Sequence, residues 1–128
     1  TDLISKLEAL RTNISSDENV LQKIVLKTER SIHIVQISMI IRLESERNYT
    51  TVYLKNNEKI VVSKLLKEFE ELLRGSEFLR VHQSHIVNLN CLSSFDKINC
   101  SVLLTNNENI PVSLRKRNLL LDYFSKLQ

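Results

Sequence analysis

A chain of 128 residues, 42% hydrophobic, is sized for one domain with a real core. One glycine, and two cysteines outside any CxxC spacing, exclude a glycine-rich phosphate cradle and a disulfide framework, so Cys91 and Cys100 read as reduced packing thiols of a cytoplasmic protein. The net charge of +3 is uneven: residues 1–22 carry four acids against two bases, a net of −2, which leaves +5 for the remainder and its densest cluster, Arg115-Lys116-Arg117.

Leu3, Ile4, Leu7 and Leu10 recur at helical spacing, and Thr12 to Asp17 then breaks the pattern. Residues 1–22 therefore read as a lead-in helix and linker, and residues 23–128 as the working domain. The missing initiating Met suggests a piece of something longer. Nothing resembles a signal peptide, and no apolar run approaches the length of a membrane span.

From residue 23 the pattern turns to strands. KIVLKT and SIHIVQI flank a turn at Glu29-Arg30, a short helical turn covers Ile37 to Met39, and MIIRLES, Tyr49–Lys55 and KIVV at 59–62 follow. Asn56-Asn57 is hairpin-turn chemistry, since asparagine tolerates positive φ. Ser63 is the expected N-cap of a helix over 64–74. Leu65, Leu66, Phe69, Leu72 and Leu73 form its apolar stripe, and Gly75 is its stop. Further strands read at 93–98, 101–105 and 109–112, then a helix from 114 to 127 with Leu119, Leu120, Tyr123, Phe124 and Leu127 on one side. VYLKNNEKIVVS at 52–63 echoes VLLTNNENIPVS at 102–113; convergence of two hairpin-to-helix junctions on the same turn residues explains this more simply than duplication. Pro111 marks an edge or a strand start.

Chemistry concentrates in FLRVHQSHIVNLN at 78–90. His82-x-x-His85 invites a metal, and Ser84 between histidines invites a nucleophile. Strand parity sets the two histidines on opposite faces, so they could share a metal only on a helix or across a turn. A hydrolytic site would also need a preorganised oxyanion hole. Neither a cofactor nor an enzyme is expected. His82 is expected to bond backbone and hold the turn, Ser84 and Asn88 to satisfy turn amides, and His85 to be exposed. The two long helices stand some forty residues apart, which excludes a helix-turn-helix reader.

FLRVHQSHIVNL at 78–89, preceded by RLESERNYTTVYL at 42–54 and followed by IPVSLRKR at 110–117, resembles the LytTR family, the DNA-binding output domains of many bacterial response regulators. The similarity covers about residues 23–127. It implies a mainly β fold with two to three short helices, an elongated stack of antiparallel sheets whose loops enter the DNA grooves. The sites implied are the loop at Arg47, Asn48 and Tyr49; Gln83; and the junction at Arg115, Lys116 and Arg117. The family often has arginine or lysine where this chain has Gln83, an amide that releases no counterion. The resemblance also implies double-stranded DNA as partner, paired direct repeats, a second copy on the DNA, and an upstream receiver domain served by a sensor kinase. The competing reading is a protein-interaction or dimerisation module of the same fold that does not bind DNA.

Overall fold

The computed structural model describes residues 22–128, so the lead-in helix expected at 2–12 lies outside the described residues. Ten strands and two α-helices follow in order: β1 (Lys23–Lys27), β2 (Ile32–Gln36), β3 (Ile40–Glu46), β4 (Tyr49–Leu54), β5 (Lys59–Val62), α1 (Leu66–Leu72), β6 (Phe78–His82), β7 (His85–Asn88), β8 (Leu92–Asp96), β9 (Ser101–Leu104), β10 (Asn109–Pro111) and α2 (Leu114–Lys126). Short 3-10 turns at Ile37–Met39 and Leu89–Cys91 precede β3 and β8. All pairing is antiparallel, in three sheets: β1-β2, β5-β4-β3-β7-β6, and β10-β9-β8.

The five-stranded sheet lies between two cores because its central strands are apolar on both faces. On β3, Ile40 and Leu43 enter one core and Ile41 the other; on β7, Ile86 enters the first and Val87 the second. Alternation along a strand sends neighbours to opposite faces, and the bulge between Ile40 and Arg42 shifts the phase so that Ile40 and Leu43 share one core. The first core is completed by Ile24, Leu26 and Val35 of the β1-β2 hairpin and by Leu66, Phe69 and Leu73. The second is completed by Val102, Leu104, Ile110 and Leu120, with Cys91 inside it and Cys100 packed against it, both as free thiols.

Two helix expectations are corrected. The first helix begins at Leu66, not 64, and its N-cap position is Leu65 rather than Ser63. The chain bends at Ser63 and Lys64 before the helix; the Lys64 carbonyl accepts the Thr50 hydroxyl at 2.6 Å, and the Glu68 carboxylate caps the Leu65 amide at 2.8 Å. The stripes are also narrower than expected. Leu66, Phe69 and Leu73 turn inward while Leu65 and Leu72 face out, and Leu120 is buried while Leu119 and Leu127 are exposed. One helix face against one sheet edge accommodates about one residue per turn. Gly75 does end the first helical segment, with φ +87°.

The echo between the hairpins extends through both halves of the domain. Each half runs hairpin, 3-10 turn, three-stranded meander, helix. The Ile37 amide donates to Gln22 as the Leu89 amide donates to Glu77, and the Lys55 amide to Met39 as the Thr105 amide to Cys91. Asn57 (φ 69°) and Asn107 (φ 71°) close the same turn, and the same bulge falls between Ile40 and Arg42 as between Leu92 and Ser94.

One ion cluster ties the middle sheet to the third. Arg42, 6% exposed, donates from Nε and Nη2 to the two Glu108 oxygens at 2.8 and 2.9 Å and from Nη1 to Glu44 at 2.6 Å, with its guanidinium 3.8 Å from the Tyr53 ring centre. Burial alone would ease its proton off, but the bonds to Glu108 and Glu44 outweigh that and hold the charge. The Arg42 bonds in turn hold the Glu108 carboxyl below its ordinary 4.5. The stability Glu108 contributes is therefore complete above the ordinary carboxylate range and lost as pH falls through the lower folded-state value. Urea midpoints should fall on acidification below about pH 4.5. Glu108→Gln should cost about 1–2 kcal/mol at neutral pH, since its side chain is 36% exposed, and should flatten that acid decline.

Candidate nucleic-acid interface

The expected contact residues come together because β3 and β7 are antiparallel neighbours. The C-terminal end of β3, which turns at Arg47-Asn48, therefore lies beside the start of β7, which follows the turn at Gln83-Ser84. The Ser45 amide donates to the Ser84 carbonyl at 2.9 Å and locks the two turns side by side. The start of α2 reaches the same end of the sheet, where the Ser113 amide donates to the Val81 carbonyl at 2.8 Å. Ser113 holds the extended N-cap position, but its hydroxyl makes no cap bond.

Between the second turn and α2 runs a groove of about 510 Å³ lined by Glu70, Arg80, His82, Gln83, Ser113, Arg115 and Lys116. Arg115 and Gln83 are exposed, Lys116 is half-buried, and Arg117 does not line the groove. At the first turn Arg47, Asn48 and Tyr49 are all exposed. Arg47 takes φ 58°, a left-handed conformation uncommon outside glycine, asparagine and aspartate.

The histidines take the across-a-turn exception to strand parity. A two-residue turn intervenes, so His82 and His85 are cross-strand partners with ring centres 5.3 Å apart. Among the described residues no three His, Cys, Asp or Glu gather as a metal set. His82 Nδ1 accepts the Ser84 amide at 3.1 Å, and Ser84 acts through its main chain. Asn88 is buried, accepts the Asn90 amide at 2.9 Å and donates to the Ile40 carbonyl at 2.9 Å. His85 is not exposed: its side chain is 13% accessible, and burial lowers its pKa despite the Glu44 carboxylate 3.9 Å away.

Sequence reasoning passed over Arg80, which organises the groove. It donates to Glu70 at 3.1 Å and to the Gln83 carbonyl at 2.6 Å, fixing the turn from within. The available signal was its place two residues before His82 on β6, an arginine in an otherwise apolar strand.

The candidate site is thus made of turns and a helix start on one end of a sheet, with no helix-turn-helix among the described residues. The comparisons give the chain a family. The LytTr DNA-binding domain model matches residues 30–125, and the chain belongs to the LytTR family of DNA-binding domains. A solved structure, the LytTr DNA-binding domain of a protein described as a methyl-accepting/DNA response regulator from Bacillus cereus, matches with a TM-score of 0.64 and 29% identity over 84% of this chain and 96% of that one. No curated protein matches. No helix among the described residues is long and apolar enough to cross a membrane.

Arg47→Gly should remove the cost of a side chain in the left-handed region and raise stability by about 1 kcal/mol, whereas Arg47→Ala should not. Urea midpoints of the two variants, compared at one pH, check this.

Proposed function

We propose that the domain is the sequence-specific, double-stranded-DNA-binding output module of a transcriptional response regulator, reading through its turns. The observation that carries this is the convergence of the Arg47-Asn48 turn, the Gln83 turn and the Arg115-Lys116 helix start on one end of the middle sheet. In this reading the α2 start offers exposed amides to a phosphate, and Arg115 offers the side chain best matched to guanine. Asn48 pairs with an adenine edge, while Arg47, Arg80 beneath Gln83, and Lys116 supply charge to the backbone. Gln83 bonds a phosphate or a base edge without releasing a counterion. Tyr49 and Arg117 flank these contacts. Signal would arrive from an upstream receiver domain and its sensor kinase.

Selection of bound sites from a random duplex pool, followed by salt titration, tests the reading. A DNA reader yields a motif and an affinity that falls steeply with salt; a protein-interaction module yields neither. Arg115→Ala should cost ~1–3 kcal/mol on the selected site and relax one base preference. Asn48→Ala should change site preference with the salt slope nearly intact, whereas Arg47→Ala should weaken binding to all sequences and reduce the slope by about one. Identical behaviour of the Asn48 and Arg47 variants would overturn this division of roles.

Each turn reaches few base pairs, so a natural operator would hold two copies on direct repeats, gaining affinity through effective concentration. Inserting about 5 bp between half-sites should sharply weaken joint occupancy, because the second copy would then face the other side of the duplex. Footprinting of the two half-sites at a fixed protein concentration reads this directly.

A further inference from the structure

The two halves of the domain carry the same unit, but only one of their two hairpins has a sheet to join. The β6-β7 hairpin pairs through β7 with β3 of the first half, matching Arg42 with Val87, Leu43 with Ile86 and Glu44 with His85. Among the described residues the β1-β2 hairpin stands as a two-stranded sheet, and β8, the counterpart of β3, is an unpaired edge of the third sheet. His33-Ile34-Val35 of β2 is repeated, fifty-two positions on, as His85-Ile86-Val87 of β7. The shared bulge sets Ser94, Phe95 and Asp96 of β8 in the places of Arg42, Leu43 and Glu44.

We propose that β2 of one copy docks, head to tail, on the free β8 edge of a second copy in the register that β7 already uses on β3. Two of the three pairs of that register keep their chemistry on these edges, and the third, Arg42 against Val87, becomes Ser94 against Val35. Leu43 against Ile86 becomes Phe95 against Ile34, and the acid-histidine pair Glu44–His85 becomes Asp96–His33. Exposure singles out the same strand: Ile86 is 1% exposed, whereas its counterpart Ile34 is 70% exposed and the neighbouring Ile32 67%. Neither β2 nor β8 contains the lysine or proline that guards edge strands, while the opposite edge, β10, ends in Pro111.

A receptacle for Ile34 is present as well. In the first core, Ile86 packs in the same cluster as Phe69 and Leu73 of the α1 segment. Beside β8, in the matching position, α2 leaves a groove of about 500 Å³ lined by Leu89, Leu92, Phe95, Tyr123, Phe124 and Leu127 among others. A contact between two different surfaces leaves each copy with one used and one unused edge, so it propagates rather than closing on itself. It requires no nucleic acid and does not rest on the DNA-reading proposal.

The test uses the full chain in two variants, each blocking one edge with a charge at an exposed position. Ile34→Lys disables the hairpin, and Ser94→Lys disables the receiving edge. In sedimentation velocity without DNA, the wild type should self-associate as concentration rises. Each variant alone should sediment as a monomer, its association weakened at least about tenfold. Mixed in equal amounts, they should form a heterodimer that grows no further, because one working hairpin meets one working edge. His33→Glu, which sets a carboxylate against Asp96, should reproduce Ile34→Lys and covers the case in which either lysine variant misfolds. Wild type that stays monomeric, as it would if residues 1–21 of the same chain filled the groove, overturns the proposal. So do self-association retained in Ile34→Lys and His33→Glu, and a mixture of the two lysine variants that remains monomeric.

Discussion

A guanidinium buried between two sheets is the constraint on which the rest of this domain turns. Arg42 is anchored from above by both oxygens of Glu108, at the tip of the β9-β10 hairpin, and from its own strand by Glu44. A charge so enclosed is tolerated only when its donors are met, so the third sheet cannot slide over the second without leaving Arg42 unpaired. The cluster also reaches the interface. Glu44 stands 3.9 Å from the His85 ring, His85 packs against His82, and His82 accepts the amide of Ser84 in the turn beside Gln83. At 3.9 Å the Glu44–His85 approach is too long for a hydrogen bond, and burial favours the neutral ring, so this link is one of packing and dipole rather than of charge.

Rigid support is what the proposed use of turns as contact elements requires. A two-residue turn is mobile by itself, but the Gln83 turn is bonded on three sides: to Ser45 of β3, to the Arg80 guanidinium and to the His82 ring. Beneath it lies a sheet buried on both faces, where side chains are locked by packing on either side. LytTR membership and the absence of adjacent long helices among the described residues agree with this construction: the framework positions, and the turns present side chains outward.

Strand order along the chain was legible because each strand carries its burial pattern in its own residues. The β3 run is apolar on both faces, and β1 alternates, with Ile24 and Leu26 inward and Lys23 and Lys27 outward. Turn chemistry at Asn57, Asn107 and Gly75 was legible for the same local reason. Contacts between distant residues were not. Arg42 and Glu108 lie 66 positions apart, and nothing in either neighbourhood announces the pair. The His82–His85 pair takes the across-a-turn arrangement that strand parity leaves as an exception, and the apolar stripes were drawn too wide because leucines also occupy outward helix positions. The proposed contact residues were named only through family resemblance; alone, Arg47 and Arg115 look like solvated cations.

The internal repeat explains why the proposed contact turns gather at one end of the middle sheet. The Gln83 turn has its counterpart at residues 28–31, where Thr28 and Ser31 close the turn on themselves at the tip of a hairpin that has no neighbouring strand among the described residues. The Arg47 turn has its counterpart after β8, where the Asp96 carboxylate accepts the Ile98 and Asn99 amides at 2.9 and 3.0 Å. A carboxylate at that position repels a phosphate backbone, and an isolated two-stranded ribbon cannot hold a contact within the tolerance that recognition needs. Only at the seam between the halves does a turn of the first unit meet a turn and a helix start of the second, all on one backed sheet. The proposed interface is therefore a property of the joint between the repeats, and neither unit alone carries it.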